Sequence, residues 1–133
     1  MRDILPQGMY AIQNDSLMLE DIVFCGTRLW NTDGTTEDMK IYRRELMRLE
    51  MSLKNAVARG GQRIVLMTHY PPLAENGGMT DAGRIIEQYP VSDVIYGHLH
   101  GKQTRAFNET VNGIRYLCTS CDKLDFELAE IMP

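Results

Sequence analysis

The segment from Thr35 to Thr68 limits the possible folds more than any other part of the chain. Met39, Tyr42, Leu46, Leu49, Leu53 and Ala56 recur at steps of three and four, which puts them on one stripe of a helix. Thr35 or Thr36 is placed to cap the helix, and Glu37 and Asp38 set negative charge at its positive end. Glu50 and Lys54 form an i,i+4 pair on the polar side. Gly60-Gly61 stops the helix. The stripe is too short for a coiled coil and is expected to pack on a sheet. Directly after the glycines, Arg63 to Thr68 reads as a strand, and its lack of alternation predicts cover on both faces, as in parallel α/β sheets.

The neighbouring stretches extend this unit on both sides. Asp21-Ile22-Val23-Phe24-Cys25, closed by Gly26, reads as a preceding strand. Thr80 or Asp81 caps a short helix through Gln88 that Pro90 closes, and Val94 to Tyr96 is a third strand. Strand, helix, strand, helix, strand is a doubly crossed parallel unit, with helices 37–59 and 81–88 on one face. Outside it, Met9 to Ile12 and Ser16 to Leu19 read as a hairpin about Asn14-Asp15. Gln103 to Asn108 and Ile114 to Thr119, with Asn112-Gly113 as the turn, read as antiparallel strands. Leu124 to Met132 carries no clear pattern. The fold class expected is α/β, with a mixed, partly parallel sheet, in a single domain over 1–133.

Composition narrows the function classes. At 133 residues and 44% hydrophobic, the chain suffices for one buried core. A net charge of −4 without long runs of one sign implies no nucleic-acid partner. No window has the apolar length of a membrane span and Met1 to Pro6 begins no signal peptide, so a soluble, cytoplasmic protein without membrane association is expected. The three cysteines, Cys25, Cys118 and Cys121, form an odd set that argues against a disulfide framework. Cys118-Thr119-Ser120-Cys121 has the spacing of zinc and redox motifs, but buried core cysteines are the expected reading.

The chemistry concentrates at the strand ends. All three histidines lie just beyond predicted strands: His69 after Ile64-Val65-Leu66-Met67-Thr68, and His98 and His100 in Gly97-His98-Leu99-His100-Gly101 after Val94-Ile95-Tyr96. Parallel strands carry the loops at their carboxyl ends to one sheet edge, so the three imidazoles are expected to converge there with Arg28. Glycines on both sides of the pair allow a bend that points the two rings apart. Three neutral imidazoles also suit a single zinc ion, so a mononuclear zinc hydrolase stays open.

Thr68-His69-Tyr70-Pro71-Pro72 and Gly97-His98-Leu99-His100-Gly101 resemble the last two motifs of the calcineurin-like metallophosphoesterases, and the likeness covers roughly residues 22 to 119. The resemblance implies a dinuclear-metal phosphohydrolase, a phosphatase-type hydrolase. In it His69 and His98 would bind one divalent ion, His100 would bind the other, and the ions would be Mn, Fe or Zn. Arg28, Tyr70 and Asn31 would meet the phosphate of a phosphorylated substrate or orient a ligand. The family's Asp-x-His, bridging Asp and Gly-Asn-His segments have no counterpart here, since no histidine precedes His69. The chain thus looks like the C-terminal half of such a domain, a fragment of the family's four-layer α/β/β/α sandwich. It would hold metal weakly, be inactive alone, and pair with a missing N-terminal half or with its own copy through an exposed sheet face. A stand-alone metal-binding or regulatory module that pairs with another polypeptide is the alternative. Asp122 and Asp125 are expected to be solvated or capping residues.

Overall fold

The computed structural model describes residues 4–31 and 34–131. Its six strands are β1 (Ser16–Leu19), β2 (Ile22–Thr27), β3 (Arg63–Thr68), β4 (Asp93–Tyr96), β5 (Thr110–Val111) and β6 (Ile114–Cys118). The two α-helices are α1 (Thr36–Arg59) and α2 (Asp81–Ile86), and a 3-10 turn covers Cys121–Lys123. The strands form one mixed sheet in the order β1-β2-β3-β4-β6-β5. β2, β3, β4 and β6 run parallel, and the antiparallel strands β1 and β5 close the two edges.

Local chemistry accounts for most of these boundaries. The Thr35 side chain accepts the Asp38 N–H at the start of α1, and Gly60, with φ of 74°, ends it in the left-handed region that glycine occupies without steric cost. Thr80 caps α2 in the same way, accepting from the Gly83 N–H. Asn112 and Gly113 both have positive φ and turn β5 into β6.

The sheet departs from the sequence reading in three places. Residues 9–12 form no strand; β1 instead pairs forward with β2, Leu19 opposite Ile22, through a tight turn in which Glu20 has φ of 53°. Residues 103–108 also stay outside the sheet, which leaves β5 two residues long. Most consequentially, β6 pairs antiparallel with β5 but parallel with β4, so the chain after β6 emerges at the same edge as the histidine loops.

On one face of the sheet α1 packs over β1, β2 and β3, and Val23, Cys25, Ile64 and Leu66 share a buried cluster with its Leu49, Leu53 and Ala56. Val94, Tyr96 and Tyr116 extend the same cluster with Leu73, Ile86 and Phe107. Ser52, also on the buried side of α1, accepts the Gly26 N–H at 2.8 Å and donates to the Asp15 carbonyl at 2.7 Å, so this helix serine satisfies backbone at the end of β2. Gly26 is required where it stands, because a Cβ there would meet the Met67 carbonyl oxygen at 2.3 Å.

Candidate metal centre

The carboxyl edge of the sheet gathers the histidines. His69 leaves β3, and its N–H donates to the Arg28 carbonyl at 3.2 Å; Tyr70 N–H donates to the same oxygen at 3.0 Å. The loop after β2 is thereby tied to the loop after β3. Gly97 N–H, beyond β4, donates to the His69 carbonyl at 3.2 Å and adds the third loop. These backbone bonds hold His98 Nδ1 at 3.1 Å from His69 Nε2.

That separation fits a shared ion. Two imidazole nitrogens about 2.0–2.1 Å from one zinc ion stand about 2.9–3.4 Å apart across the angles common in metal sites. Burial, reinforced by the proximity of His98, Arg28 and His100, pushes the His69 imidazole below its usual pKa. Its neutral form, the one that binds metal, is therefore favoured.

The strained residue in this loop is a histidine. His98 has φ of 70°, a left-handed backbone that a non-glycine residue adopts at a cost, whereas Gly97 does not use its freedom and Gly101, at 84°, does. The rings diverge as the glycine-flanked spacing predicts. The His98 ring lies against Tyr70, with centroids 4.2 Å apart, and toward His69; the His100 ring turns away to Asp122.

His100 sits in its own nest of polar contacts. Its Nδ1 lies 2.8 Å from Asp122 Oδ1, and Asp122 Oδ2 accepts the Gly101 N–H at 2.7 Å. The Gly101 N–H and the His100 ring hold the Asp122 carboxyl below the usual carboxylate range. Lys123 donates to the Gly101 and Thr104 carbonyls, each at 2.6 Å, and Thr104 donates to the His100 carbonyl. His100, Cys121 and Asp122 bring one potential ligand atom each to within 4.8 Å of one another. Asp122 is therefore neither a solvated acid nor a helix cap. Cys121 is exposed rather than in the core, while Cys118 and Cys25 are buried, and all three are free thiols.

Of the expected phosphate contacts, Arg28 and Tyr70 flank the histidines and Asn31 does not. Arg28 stacks over Trp30 at 4.6 Å, Trp30 lies 5.1 Å from Tyr70, and Tyr70 reaches both His69 and His98. The half-exposed Arg28 guanidinium also lies 3.7 Å from Glu45, a carboxylate buried on α1 that pairs closely with Arg48 at 2.7 Å. Asn31 lines a neighbouring cleft with Leu99 and Arg105. A second cleft places Arg28 and His69 beside Gly26 and Met67.

Glu45 and Trp30 lie beside the histidines without a signal singled out in the sequence, whereas Cys121 was expected in the core and Asp122 in solvent or at a cap. The signal for the last two was present in Ile114 to Cys118: read as a parallel neighbour of the strand before His98, that segment delivers Thr119 to Asp122 to the histidine edge. No family model, no curated protein and no solved structure matches this chain.

Proposed function

We propose that this chain supplies the histidine half of a dinuclear-metal phosphohydrolase centre, with carboxylate ligands contributed from outside residues 1–133. The observation that carries the reading is the 3.1 Å approach of His98 Nδ1 to His69 Nε2, from two strand ends, beside a third imidazole turned the other way. His69 and His98 would hold one ion and His100 the other. Such ions, when bound, lower the pKa of a bridging water and draw charge off the phosphoryl oxygens. The chain's own part is to fix the imidazoles and to offer Arg28, a planar cation suited to phosphate oxygens. Tyr70 packs against the His98 ring and limits its rotation.

Charge explains why this half is inactive alone. Imidazoles are neutral, so two dications held by His69, His98 and His100 would repel with little compensation, and a bridging carboxylate normally offsets that repulsion. The cleft joining His69 to Gly26 and Met67 opens on the sheet face that the helices do not cover. A missing N-terminal half, or a second copy, seated on that face would stand next to the histidines.

Metal analysis combined with p-nitrophenyl phosphate hydrolysis tests this. The chain alone should bind zinc or manganese weakly and turn over no substrate. Turnover by the isolated chain would overturn the half-centre reading. Tight stoichiometric zinc with no phosphatase activity would favour a metal-binding or regulatory module instead, and the His100–Cys121–Asp122 cluster is what keeps that second reading in view. Sedimentation should show association rising with concentration; a monomer at high concentration would count against self-association through this face.

A further inference from the structure

Asp122 spends both of its carboxylate oxygens on the histidine loop, one on the His100 ring at 2.8 Å and one on the Gly101 N–H at 2.7 Å. An imidazole whose Nδ1 faces a carboxylate carries its proton on that nitrogen and leaves Nε2 as the lone-pair donor. We propose that Asp122 is a positioning residue that fixes the tautomer and direction of His100, so that Nε2 is the atom offered to a metal. The proposal rests on the metal-centre reading above for its purpose, but not for its geometry.

Several observations favour this role over direct ligation by Asp122. Both oxygens are turned onto the histidine loop, Oδ1 to the His100 ring and Oδ2 to the Gly101 N–H. The bonds are also set by parallel β-sheet geometry, because the Thr119 N–H donates to the Tyr96 carbonyl at 2.7 Å and locks the chain after β6 to the chain after β4. The next residue, Lys123, then anchors the far side of the loop through the Gly101 and Thr104 carbonyls. The 3-10 turn thus grips the His100 loop at the ring, at the Gly101 amide and at two carbonyls. A carboxylate that orients a ligating histidine in this way typically changes metal affinity by 10- to 100-fold when removed.

The test is nitrogen-detected NMR of the histidine rings in the metal-free full chain, above the pH at which the imidazoles charge. His100 should carry its proton on Nδ1. Asp122→Ala should convert it to a mixture of tautomers and leave His98 unchanged, and Asp125→Asn, at an exposed acid three residues on, should leave His100 as in the wild type. An unchanged amide spectrum outside the loop shows that Asp122→Ala folds; should it not, Asp122→Asn, which keeps the shape and removes the charge, is read in its place. A His100 proton on Nε2 in the wild type, or one on Nδ1 that persists in the variants, overturns the proposal.

Zinc and cobalt titrations separate this from the metal reading. The expected result is zinc affinity 10- to 100-fold weaker in the folded Asp122 variant. A fixed tautomer in a wild-type chain that binds no zinc overturns the function proposed above and leaves the orientation of His100 standing. A thiolate-to-cobalt charge-transfer band that vanishes in Cys121→Ser, together with a His100 ring bound through Nδ1, would overturn the positioning role, since Asp122 would then have lost the ring nitrogen it faces and His100, Cys121 and Asp122 would be a ligand set of their own.

Discussion

The two faces of the sheet are built from the same strands and differ in what covers them. On the helix face, Val23, Cys25, Leu66 and Val94 have no exposed surface, and neither have Leu49, Leu53 and Ala56 of α1. On the opposite face Val65 is fully buried, but its neighbours Leu17, Phe24, Met67, Ile95 and Leu117 are only partly so, and Leu19 is 45% exposed. Part of that face is occupied by the chain's own ends: Tyr10 and Ile12 lie near Phe24 and Met67, and Phe126, Leu128 and Ile131 lie near Ile95. Phe126 and Leu128 remain largely exposed even so. One face is closed by helices, and the other, covered in part by the chain's own terminal segments, keeps apolar side chains partly exposed.

The amino-terminal edge of the second face holds its most unusual group. Asp93, 2% exposed, accepts from Arg63 Nε at 2.9 Å and from Arg115 Nε at 2.7 Å, and Arg115 also donates to the Ile131 carbonyl. A buried carboxylate is tolerated there because two guanidinium groups saturate it. The paired arginines also link β3, β4 and β6 across the sheet and fasten the C-terminal segment to it.

The contrast between the faces is open to direct attack. Leu53→Ala should cost about 2–5 kcal/mol in urea unfolding, because the fully buried cavity under α1 has no means of collapsing. Leu17→Ala on the other face should cost about 1 kcal/mol or less. Equal losses would dissolve the distinction. Asp93→Ala comes next, at about 2–3 kcal/mol, less than for a wholly buried pair because both arginines are about one third exposed. If that variant proved neutral, the pairing would be ornamental and the C-terminal segment held by something else.

The smallest effect lies at the edge where the second face meets the histidines. His69 should titrate below its usual 6.5 in a proton NMR series, chiefly because of burial. Since the folded value is lowered, its contribution to stability is complete above 6.5 and is lost as pH falls through the window between that value and the folded pKa. Thermal unfolding should show a shallow decline there that His69→Gln removes.

How much of this was legible follows from which interactions are local. The helix from Thr36 to Arg59, its threonine cap and its glycine stop could be read because stripe, cap and left-handed terminus all act within a few residues. Arg63–Thr68 could be read because a short apolar, β-branched run bounded by turns has few alternatives. The three histidines could be placed at one edge because parallel connection itself dictates it.

The unread parts depend on partners distant in sequence. Whether Ser16–Leu19 pairs back to residues 9–12 or forward to Ile22–Thr27 is a competition between two hairpins of similar composition, and the two-residue turn at Glu20-Asp21 won it. Ser52 and Glu45 are polar letters on a helix, and their burial is tolerable because the backbone of Gly26 and Asp15 satisfies the one and Arg28, Arg44, Arg48 and Thr27 surround the other. The sequence by itself determined the crossed parallel unit and the residue types at its histidine-bearing edge. Tertiary structure alone decided that Ile114–Cys118 joins β4 in parallel and so brings Asp122 to His100, because strand order rests on pairing energies summed across the sheet and no short window of sequence contains them.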